Sequence, residues 1–375
     1  MSKKVIQVTI LHSRYDSRIY HKISKSLVKK YNVILLCADG KGNEISNLIE
    51  ILDLRISKNN NFFLRILLNF KVIIKCFSLK GDCYHFHDPE LIFAGILLRL
   101  FNYKVVFDSH EHIPDDILDK YYIPKNFRLI TRSIYVFLEK FLLKFYSGLI
   151  GATPYIRDHL KKMNINVIDI CNYPIFDIPK LRRGKEVVKQ PNDLNYICFV
   201  GGISHLRGVK ELIKALELTK NKVYLNLVGD FISEQYEKEL RAEKGWRYVN
   251  YFGYIDDRMK LKEIYQKSII GIVTLLPNPN DINSLPIKMF EYMESQLPVI
   301  ASDFDYFKEI FNEIKCGFNV NPRSPKDIAK AIDDLIDDPI KREEMAENGY
   351  KAIVDKFNWS IEEIKLLKFY KDLLK

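Results

Sequence analysis

Short apolar runs alternate with longer amphipathic segments through the first half of the chain. Residues 5–11 are almost continuously apolar, residues 17–30 have apolar positions at helical spacing, and residues 33–37 form the next apolar run. Later short runs lie at residues 83–86, 104–107 and 148–152. Apolar strands separated by helix-length segments predict a parallel sheet that is covered by helices on both faces.

The same alternation returns in the second half. It predicts strands at residues 196–200, 223–228, 248–252, 269–275 and 298–302. It predicts helices at residues 209–218, 259–267, 286–295, 325–337 and 360–374. We therefore predict an α/β chain of two doubly wound, Rossmann-like parallel-sheet domains that face each other across a cleft.

A polar segment separates the two series. Residues 179–193 are rich in turn-forming and basic residues and have no hydrophobic period, which is typical of a linker. A length of 375 residues also suits two domains better than one. We predict an N-terminal domain at 1–180, a linker at 181–194, a C-terminal domain at 195–357 and a final helix at 358–375 that is able to pack back on the N-terminal domain.

The net charge of +10 lies entirely in the first half of the chain. Residues 1–180 carry 27 basic and 17 acidic residues, whereas residues 181–375 carry 31 of each. Such a basic domain favours contact with an anionic surface, either phospholipid or nucleic acid. No nucleic-acid-binding motif is present, and the basic residues stand among aromatic and apolar ones, which favours a membrane. A host with lysine-rich proteins would explain the charge without any such partner.

Cysteine usage and apolar runs bear on the cellular location. The six cysteines form no CxxC pair and no cluster with zinc-ligand spacing, so we expect reduced thiols. Residues 1–4 lead directly into the first predicted strand without a signal-peptide pattern. The longest apolar tract, residues 62–77, contains three basic residues, which is too much charge for a bilayer span. We predict a cytoplasmic location, with peripheral attachment to the inner face of the plasma membrane as an additional hypothesis.

Two segments of the second half have residue types that suit a phosphate. Gly201 and Gly202 follow a predicted strand, and a turn of this kind directs backbone N–H groups towards an anion. Arg207 follows at a distance from which its guanidinium group could reach a diphosphate. In the second segment, Ser284 is a candidate N-cap, Pro286 falls in the first helical turn, and Lys288 and Glu291 share one helix face. The ordinary alternatives are a tight turn and a surface Lys–Glu pair.

Polar clusters also follow two predicted strands and one helix of the first half. They begin at His12, Asp82 and Asp108, and they contain four further histidines that follow no HExxH-type spacing. Asp303 and Asp305 resemble an acidic metal–diphosphate motif, but they follow a strand as a loop. We therefore expect no metal and no cofactor.

Several motifs together resemble the retaining family 4 glycosyltransferases of the two-domain GT-B fold, and bacterial members for capsule, exopolysaccharide or lipopolysaccharide in particular. The resemblance runs nearly end to end and is carried by these motifs: His12…Asp16-Ser-Arg18, His87-Asp-Pro-Glu90, Asp108-Ser-His110-Glu111, Asn172-Tyr-Pro174, Gly201-Gly…Arg207-Gly208, Leu227-Val-Gly-Asp230, Phe252-Gly253 and Ser284-Leu-Pro-Ile-Lys-Met-Phe-Glu-Tyr-Met293.

The resemblance implies that a nucleoside-diphosphate sugar binds the second domain and that the acceptor binds the first. It implies that Glu291 binds the ribose, that Arg207 binds phosphate and that His110 faces the transferred sugar. Arg207, His110 and Lys288 together form the expected catalytic set. The expected donor-binding residues are Gly201, Gly202, Arg207, Asn283, Ser284, Leu285, Lys288 and Glu291. The expected acceptor-side residues are His12, Asp16, Arg18, His87, Asp88 and Glu111.

Two positions depart from the family pattern. Asn283 stands where the family often has the first glutamate of its Glu-x7-Glu motif, and Gly202 stands where a second cation is usual. A different donor sugar, a different mode of binding the same sugar, or an inactive homologue would each account for these departures.

The favoured reading is transfer of a sugar, from a UDP-sugar in preference to other donors, to a saccharide acceptor with retention of configuration and without metal. Residues 60–79 and 124–146 are basic and aromatic, so they suit either a membrane surface or ordinary packing. The membrane alternative implies a lipid-linked acceptor in surface polysaccharide biosynthesis. The competing functions are a nucleotide-sugar or glycan-binding subunit without turnover, a GT-B nucleotide-sugar epimerase and a phosphorylase. A nicotinamide dehydrogenase is disfavoured because no GxGxxG follows the first strand.

Overall fold

The computed structural model describes residues 2–55, 62–120, 123–176 and 194–375, with the side chains of residues 62–66 left out. The chain divides into two compact units, Met1–Ile175 with Trp359–Lys375, and Phe176–Asn358. Each unit contains one largely parallel sheet, so the predicted α/β class is confirmed. The predicted linker, residues 181–194, lies outside the described residues except for its last position.

The sheet of the first unit has the strand order β3-β4-β2-β1-β5-β6-β7-β8, and β3 is its antiparallel member. Its strands are β1 (Lys4–Val8), β2 (Asn32–Cys37), β3 (Glu44–Ser46), β4 (Ile49–Asp53), β5 (Cys83–Phe86), β6 (Lys104–Ser109), β7 (Gly148–Gly151) and β8 (Val167–Asp169). Its α-helices are α1 (Lys25–Leu27), α2 (Phe62–Leu79), α3 (Ile92–Leu100), α4 (Ile113–Asp119), α5 (Lys125–Leu143) and α6 (Pro154–Leu160).

The predicted helix at 17–30 is divided into two parts. Ser17–Ser24 is a π-helix, and α1 continues it for one turn. Asp16 caps the π-helix by accepting hydrogen bonds from the backbone N–H groups of Arg18 and Ile19. A 3₁₀ turn, Pro89–Leu91, precedes α3.

The sheet of the second unit is wholly parallel and has the order β11-β10-β9-β12-β13-β14. Its strands are β9 (Asn195–Val200), β10 (Val223–Val228), β11 (Val249–Tyr251), β12 (Ile270–Val273), β13 (Val299–Ser302) and β14 (Gly317–Val320). Its α-helices are α7 (Val209–Leu216), α8 (Glu234–Arg241), α9 (Arg258–Lys267), α10 (Ile287–Glu294), α11 (Asp305–Ile314), α12 (Pro325–Asp337) and α13 (Pro339–Asp355). Its 3₁₀ segments are His205–Arg207 and Lys244–Tyr248.

Helix α14 (Trp359–Leu373) belongs to the first unit, together with the sheet that it covers. The indole of Trp359 donates to Ser26 Oγ over 3.0 Å, and Glu362 accepts from the backbone N–H of Cys171 over 2.8 Å. Tyr370 lies beside His85, with its hydroxyl 2.7 Å from Nδ1. These polar anchors accompany a core formed with residues of β1, β2 and the π-helix, so the last helix is held by both kinds of contact.

Glycine at position 271 allows α10 to pack closely on β12. A Cβ at this position would lie 2.3 Å from the ring of Tyr292, far inside ordinary van der Waals contact. The Tyr292 hydroxyl in turn accepts a hydrogen bond of 2.9 Å from the backbone N–H of Val200, at the end of β9. This pair of contacts fixes the start of α10 relative to the carboxyl end of the sheet, where ligands of such folds bind.

Within the described residues, no helix combines the length and the apolar character that crossing a bilayer requires. All six cysteines are buried free thiols.

Candidate active site

The glycine turn of the second unit lies directly beside Lys288. Gly201 has φ +132°, and its N–H donates to Val228 O over 2.9 Å. A Cβ on Gly229 would lie 2.0 Å from Gly201 O, so the turns after β9 and β10 run closely side by side. A Cβ on Gly201 would lie 3.7 Å from Lys288 Nζ, whereas the one on Gly202 would meet open space. The fold therefore leaves room in front of the turn and places a cation at its edge.

Arg207 is held at the same edge of the sheet by its neighbours. Gly208 begins α7 with φ +66°, and a Cβ there would lie 1.9 Å from Thr274 O. Only glycine fits this close approach of α7 to the end of β12. The partly exposed Arg207 side chain lies with Nη1 3.5 Å from Asp281 Oδ1, so the guanidinium group has a weak ionic partner and remains accessible.

Lys288 is a buried cation, which excludes the surface-pair interpretation. Its side chain is 8% exposed, and Nζ lies 3.7 Å from the centre of the Phe199 ring. Burial and the charge of Arg207 lower its pKa to about 7, against the opposing effects of Asp281 and Glu291. A cation–π contact offsets only part of the desolvation of an ammonium group. The pocket edge therefore holds a lysine that is poised to gain a proton when an anion arrives.

The predicted N-cap of α10 was wrong. Pro286 occupies the N-cap position, with ψ 123°, and makes no side-chain cap. The Ser284 hydroxyl instead donates to Asp281 O over 2.9 Å. The amide oxygen of Asn278 accepts hydrogen bonds from the N–H groups of Asn280 and Asp281 and so stabilises a turn before the helix. This turn places Asp281 O within reach of the Ser284 hydroxyl, which is why the hydroxyl does not cap α10.

Glu291 lies one turn into α10, where Tyr265 OH donates to its Oε2 over 3.3 Å. Asn283 and Leu285 are half-buried in the loop before α10. Asp281 and Tyr265 were not predicted from the sequence. For Asp281, the Pro/Asn-rich loop that contains it was the available sequence signal. No sequence signal marked Tyr265.

In the first unit, Asp88 organises the turn after β1. It is fully buried and accepts from Ile10 N over 2.5 Å and from Thr9 Oγ1 over 3.3 Å. The ring of His12 lies with Nδ1 3.0 Å from Asp88 Oδ1. Burial would raise the pKa of Asp88, but the hydrogen bonds from His12 and Ile10 hold it below its usual value.

Asp108 organises a second buried group around His110. Arg18 donates to both of its carboxylate oxygens, over 2.9 and 2.7 Å. His110 Nε2 lies 3.3 Å from Asp108 Oδ2 and 3.2 Å from His87 Nδ1. Burial opposes ionisation of Asp108, yet Arg18 and His110 hold its pKa well below the usual value.

The predicted acceptor-side residues differ in accessibility. Arg18, His87 and Asp88 are buried and hydrogen-bonded to protein partners. His12 and His110 keep 30% and 18% of their side chains exposed. Asp16 caps the π-helix, and Glu111 is exposed.

Two groups of side chains within the described residues have metal-ligand atoms within 4.8 Å of one another: His85, His87 and Asp108, and Asp169, Cys171 and Glu362. Their carboxylates are already paired with cations, Asp108 with Arg18, and Asp169 and Glu362 with Lys365. A divalent ion would meet a competing positive charge in either group. The absence of metal chemistry nevertheless stays a prediction.

The lowered pKa of Lys288 predicts a pH-dependent stability. The unfolded chain keeps this proton up to about pH 10.4, whereas the folded chain releases it near pH 7, so the unfolded state binds more protons in between. The contribution of Lys288 to the free energy of unfolding therefore rises with pH. We expect the difference in unfolding free energy between the wild type and Lys288→Met to increase by about 2 kcal/mol from pH 7.5 to 9.5 in denaturant titrations.

Lys260→Met provides the control, because Lys260 is exposed on α9 of the same unit. It removes the same charge from a solvated position, and the difference from wild type should stay flat over this pH range. A flat difference for Lys288→Met would contradict the burial of this ammonium group.

Comparison with known proteins agrees with this geometry. Residues 182–352 match the family model of glycosyl transferases group 1. An uncharacterized glycosyltransferase of Methanocaldococcus jannaschii is 26% identical over 183 residues, which cover 48% of this chain and 45% of the relative. The alpha-D-kanosaminyltransferase of Streptomyces kanamyceticus is 26% identical over 186 residues, 48% of this chain and 47% of the relative. The matched region thus spans about half the length of these curated relatives.

Solved structures match the chain over its whole length. Sucrose-phosphate synthase from Thermosynechococcus elongatus has a TM-score of 0.79 at 17% identity and covers 99% of both chains. Anabaena HepE, solved in complex with UDP and glucose, has a TM-score of 0.70 at 16% identity and covers 99% of this chain and 100% of its own. Residues 182–352 are therefore similar to group 1 glycosyl transferases, and the chain as a whole has the GT-B fold.

Proposed function

We propose that the chain transfers a sugar from a nucleoside-diphosphate sugar, UDP-sugars being favoured, to a saccharide acceptor. The observation that carries this proposal is the grouping of an open glycine turn, an accessible guanidinium group and a buried ammonium group at the carboxyl edge of one parallel sheet. Such an edge suits a diphosphate. The family match and the UDP complex of HepE support the choice of donor.

The proposed chemistry is cleavage of the bond between the anomeric carbon and the diphosphate. Negative charge accumulates on the leaving diphosphate, and cations fixed beforehand stabilise it without reorganisation. Arg207 and Lys288 supply this charge, and Lys288 gains full charge as the diphosphate approaches because the anion raises its pKa. The Glu291 carboxylate, which accepts a hydrogen bond from Tyr265, also accepts hydrogen bonds from the ribose hydroxyls. Asn283 contacts the donor sugar.

We further propose that the reaction retains the anomeric configuration and needs no metal. His110 faces the transferred sugar, and the donor phosphate helps to deprotonate the acceptor hydroxyl. The cations of the second unit take the part that a metal ion plays in other transferases.

Arg207→Ala and Glu291→Ala test the donor site. Loss of one group that stabilises transition-state charge costs about 3 kcal/mol, so each variant should reduce turnover at least about a hundredfold. The measurement is transfer or hydrolysis of a panel of UDP-, GDP- and dTDP-sugars, with nucleotide affinity followed by calorimetry.

Arg323→Ala and Glu309→Ala are matched controls. Both residues are exposed on the same unit and are remote in sequence from the candidate donor residues, so activity should stay near wild type. Near-normal turnover in either site variant would remove that residue from the active site.

The first unit has an exposed apolar face on three neighbouring helices, α2, α3 and α5. Each helix packs one side on the core and still turns a second apolar stripe outwards, at spacings of three and four residues. The stripes are Leu67, Phe70 and Ile74 on α2, Phe93, Leu97 and Leu100 on α3, and Phe127, Ile130, Ile134, Phe137 and Phe141 on α5. Large contiguous apolar patches are rare on monomeric proteins in water and indicate a protein or membrane surface as a partner.

The charge around this face favours an anionic membrane. Helix α5 carries four basic residues and one acid, and the acid, Glu139, is buried. Lys144 lies over the rings of Phe141 and Phe145, with its ammonium 4.6 and 4.9 Å from their centres. Apolar stripes bordered by lysines suit the headgroup boundary of a bilayer. We therefore propose that the face lies on the inner leaflet and that the acceptor is a lipid-linked saccharide of surface polysaccharide biosynthesis, such as capsule or lipopolysaccharide.

Vesicle flotation tests this placement. The wild type should float with vesicles rich in phosphatidylglycerol and much less with pure phosphatidylcholine. Removing two rings from the stripe, by Phe137→Ser with Phe141→Ser, should weaken binding at least about tenfold.

Ile340→Ser is the matched control, because Ile340 is 81% exposed on α13 of the other unit. It should bind vesicles like the wild type. Absence of lipid-dependent flotation, or a stable dimer in sedimentation that loses its contact in the Phe137/Phe141 variant, would contradict the membrane proposal.

A second candidate function is a nucleotide-sugar-binding subunit without turnover. The open space at Gly202, where the resembled family usually has a second cation, favours it. The donor panel separates the two, because a binding subunit gives nucleotide affinity but neither transfer nor hydrolysis with any donor.

A further inference from the structure

Behind His110 runs a chain of buried side chains that the proposed reaction does not use directly. Gln7, on β1, is fully buried, and its Oε1 lies 2.7 Å from His87 Nε2. His87 Nδ1 lies 3.2 Å from His110 Nε2. The three side chains thus form one hydrogen-bonded line that ends at the partly exposed ring of His110.

The direction of each hydrogen bond follows from the amide oxygen of Gln7. A carbonyl oxygen only accepts, so His87 carries its hydrogen on Nε2. Burial lowers the pKa of His87 to about 4, which keeps the ring neutral, and with its hydrogen on Nε2 the ring has Nδ1 as an acceptor. Nδ1 also lies 3.4 Å from Asp108 Oδ2, a contact that competes because a carboxylate oxygen favours a hydrogen on the nitrogen that it faces. The hydrogen between the two rings must then come from His110 Nε2.

Asp108 supports the same assignment. Its Oδ2 lies 3.3 Å from His110 Nε2 and offers a second acceptor for that hydrogen. Arg18 donates to both oxygens of this carboxylate and keeps it ionised. The remaining nitrogen of His110, Nδ1, receives no hydrogen bond from the described residues.

We propose that Gln7 and His87 are positioning residues that fix neutral His110 as the tautomer with its hydrogen on Nε2, so that Nδ1 presents a lone pair to a hydroxyl group of the transferred sugar. The sugar contact rests on the proposed function, whereas the tautomer does not. A sugar hydroxyl would donate to this nitrogen, and a substrate lacking that hydroxyl would lose the contact.

Nitrogen-15 NMR of the full chain labelled at histidine tests the tautomer without any substrate. Long-range proton–nitrogen couplings at pH 8 should show His110 protonated on Nε2 and bare on Nδ1, with its signals assigned by their loss in His110→Gln. A hydrogen on Nδ1 of His110 overturns the proposal. This measurement on the wild type decides the matter even where a variant folds poorly.

Gln7→Met and Tyr146→Phe form a matched pair of variants. Each removes one buried hydrogen bond of the first unit, that of Gln7 with His87 or that of the Tyr146 hydroxyl with Ile92 O. Only Gln7→Met should raise the population of His110 with hydrogen on Nδ1. It should also lower kcat about tenfold with little change in KM for the donor, whereas Tyr146→Phe should stay within about twofold.

The same His110 tautomer in Gln7→Met as in the wild type would contradict the positioning role, and so would equal kinetic losses in the two variants. Absence of turnover with every donor would instead count against the proposed function and leave the tautomer result standing.

Discussion

The buried ammonium group of Lys288 is the constraint on which the second unit depends. It lies over the Phe199 ring and forms no ion pair within the described residues, while Arg207 adds a further positive charge. Desolvation of such a group opposes folding, and only an anion of the right size compensates it fully. The glycines at 201, 208 and 229 serve this arrangement, because their lack of a Cβ lets three backbone segments meet around the space that an anion would take.

In the first unit, by contrast, buried carboxylates are stabilised by partners within the protein. Two of its buried carboxylates, Asp88 and Asp108, are saturated with hydrogen bonds and, for Asp108, with a bidentate arginine. Their function is to orient, because a satisfied buried carboxylate gives its neighbours a fixed geometry at little risk of protonation. His12 and His110 are the accessible ends of these two networks. The unit therefore presents two partly exposed imidazole rings that are held by fixed, buried carboxylates.

The predictable part of the fold came from strands buried on both faces. The intervals 83–86 and 223–228 agree with the structure to the residue, since each is a short, largely apolar run between helix-length segments. β3 and β14 are edge strands with half-buried positions, so they lack the apolar signal that marks a strand. The grouping of the glycine turn with Lys288 was accessible from motif order and from the ends of strands.

Other parts of the site depended on tertiary contacts that no local pattern encodes. Ser284 had the residue type of an N-cap, but the turn built by Asn278 diverted its hydroxyl to Asp281. Gln7 is a polar residue within a largely apolar strand, and its partner, His87, is 80 residues away in the chain. Side-chain networks of this kind follow from the fold, so they become visible only after the fold is known.

Calorimetry of nucleoside diphosphate binding tests the central claim most directly. Titrations of UDP, GDP and dTDP at pH 8, repeated in buffers of different ionisation enthalpy, report both affinity and protons exchanged. The account predicts that the preferred diphosphate binds with uptake of about one proton per site, and that Lys288→Met abolishes the uptake. Failure of every diphosphate to bind, or binding with the same proton exchange in wild type and Lys288→Met, would contradict it.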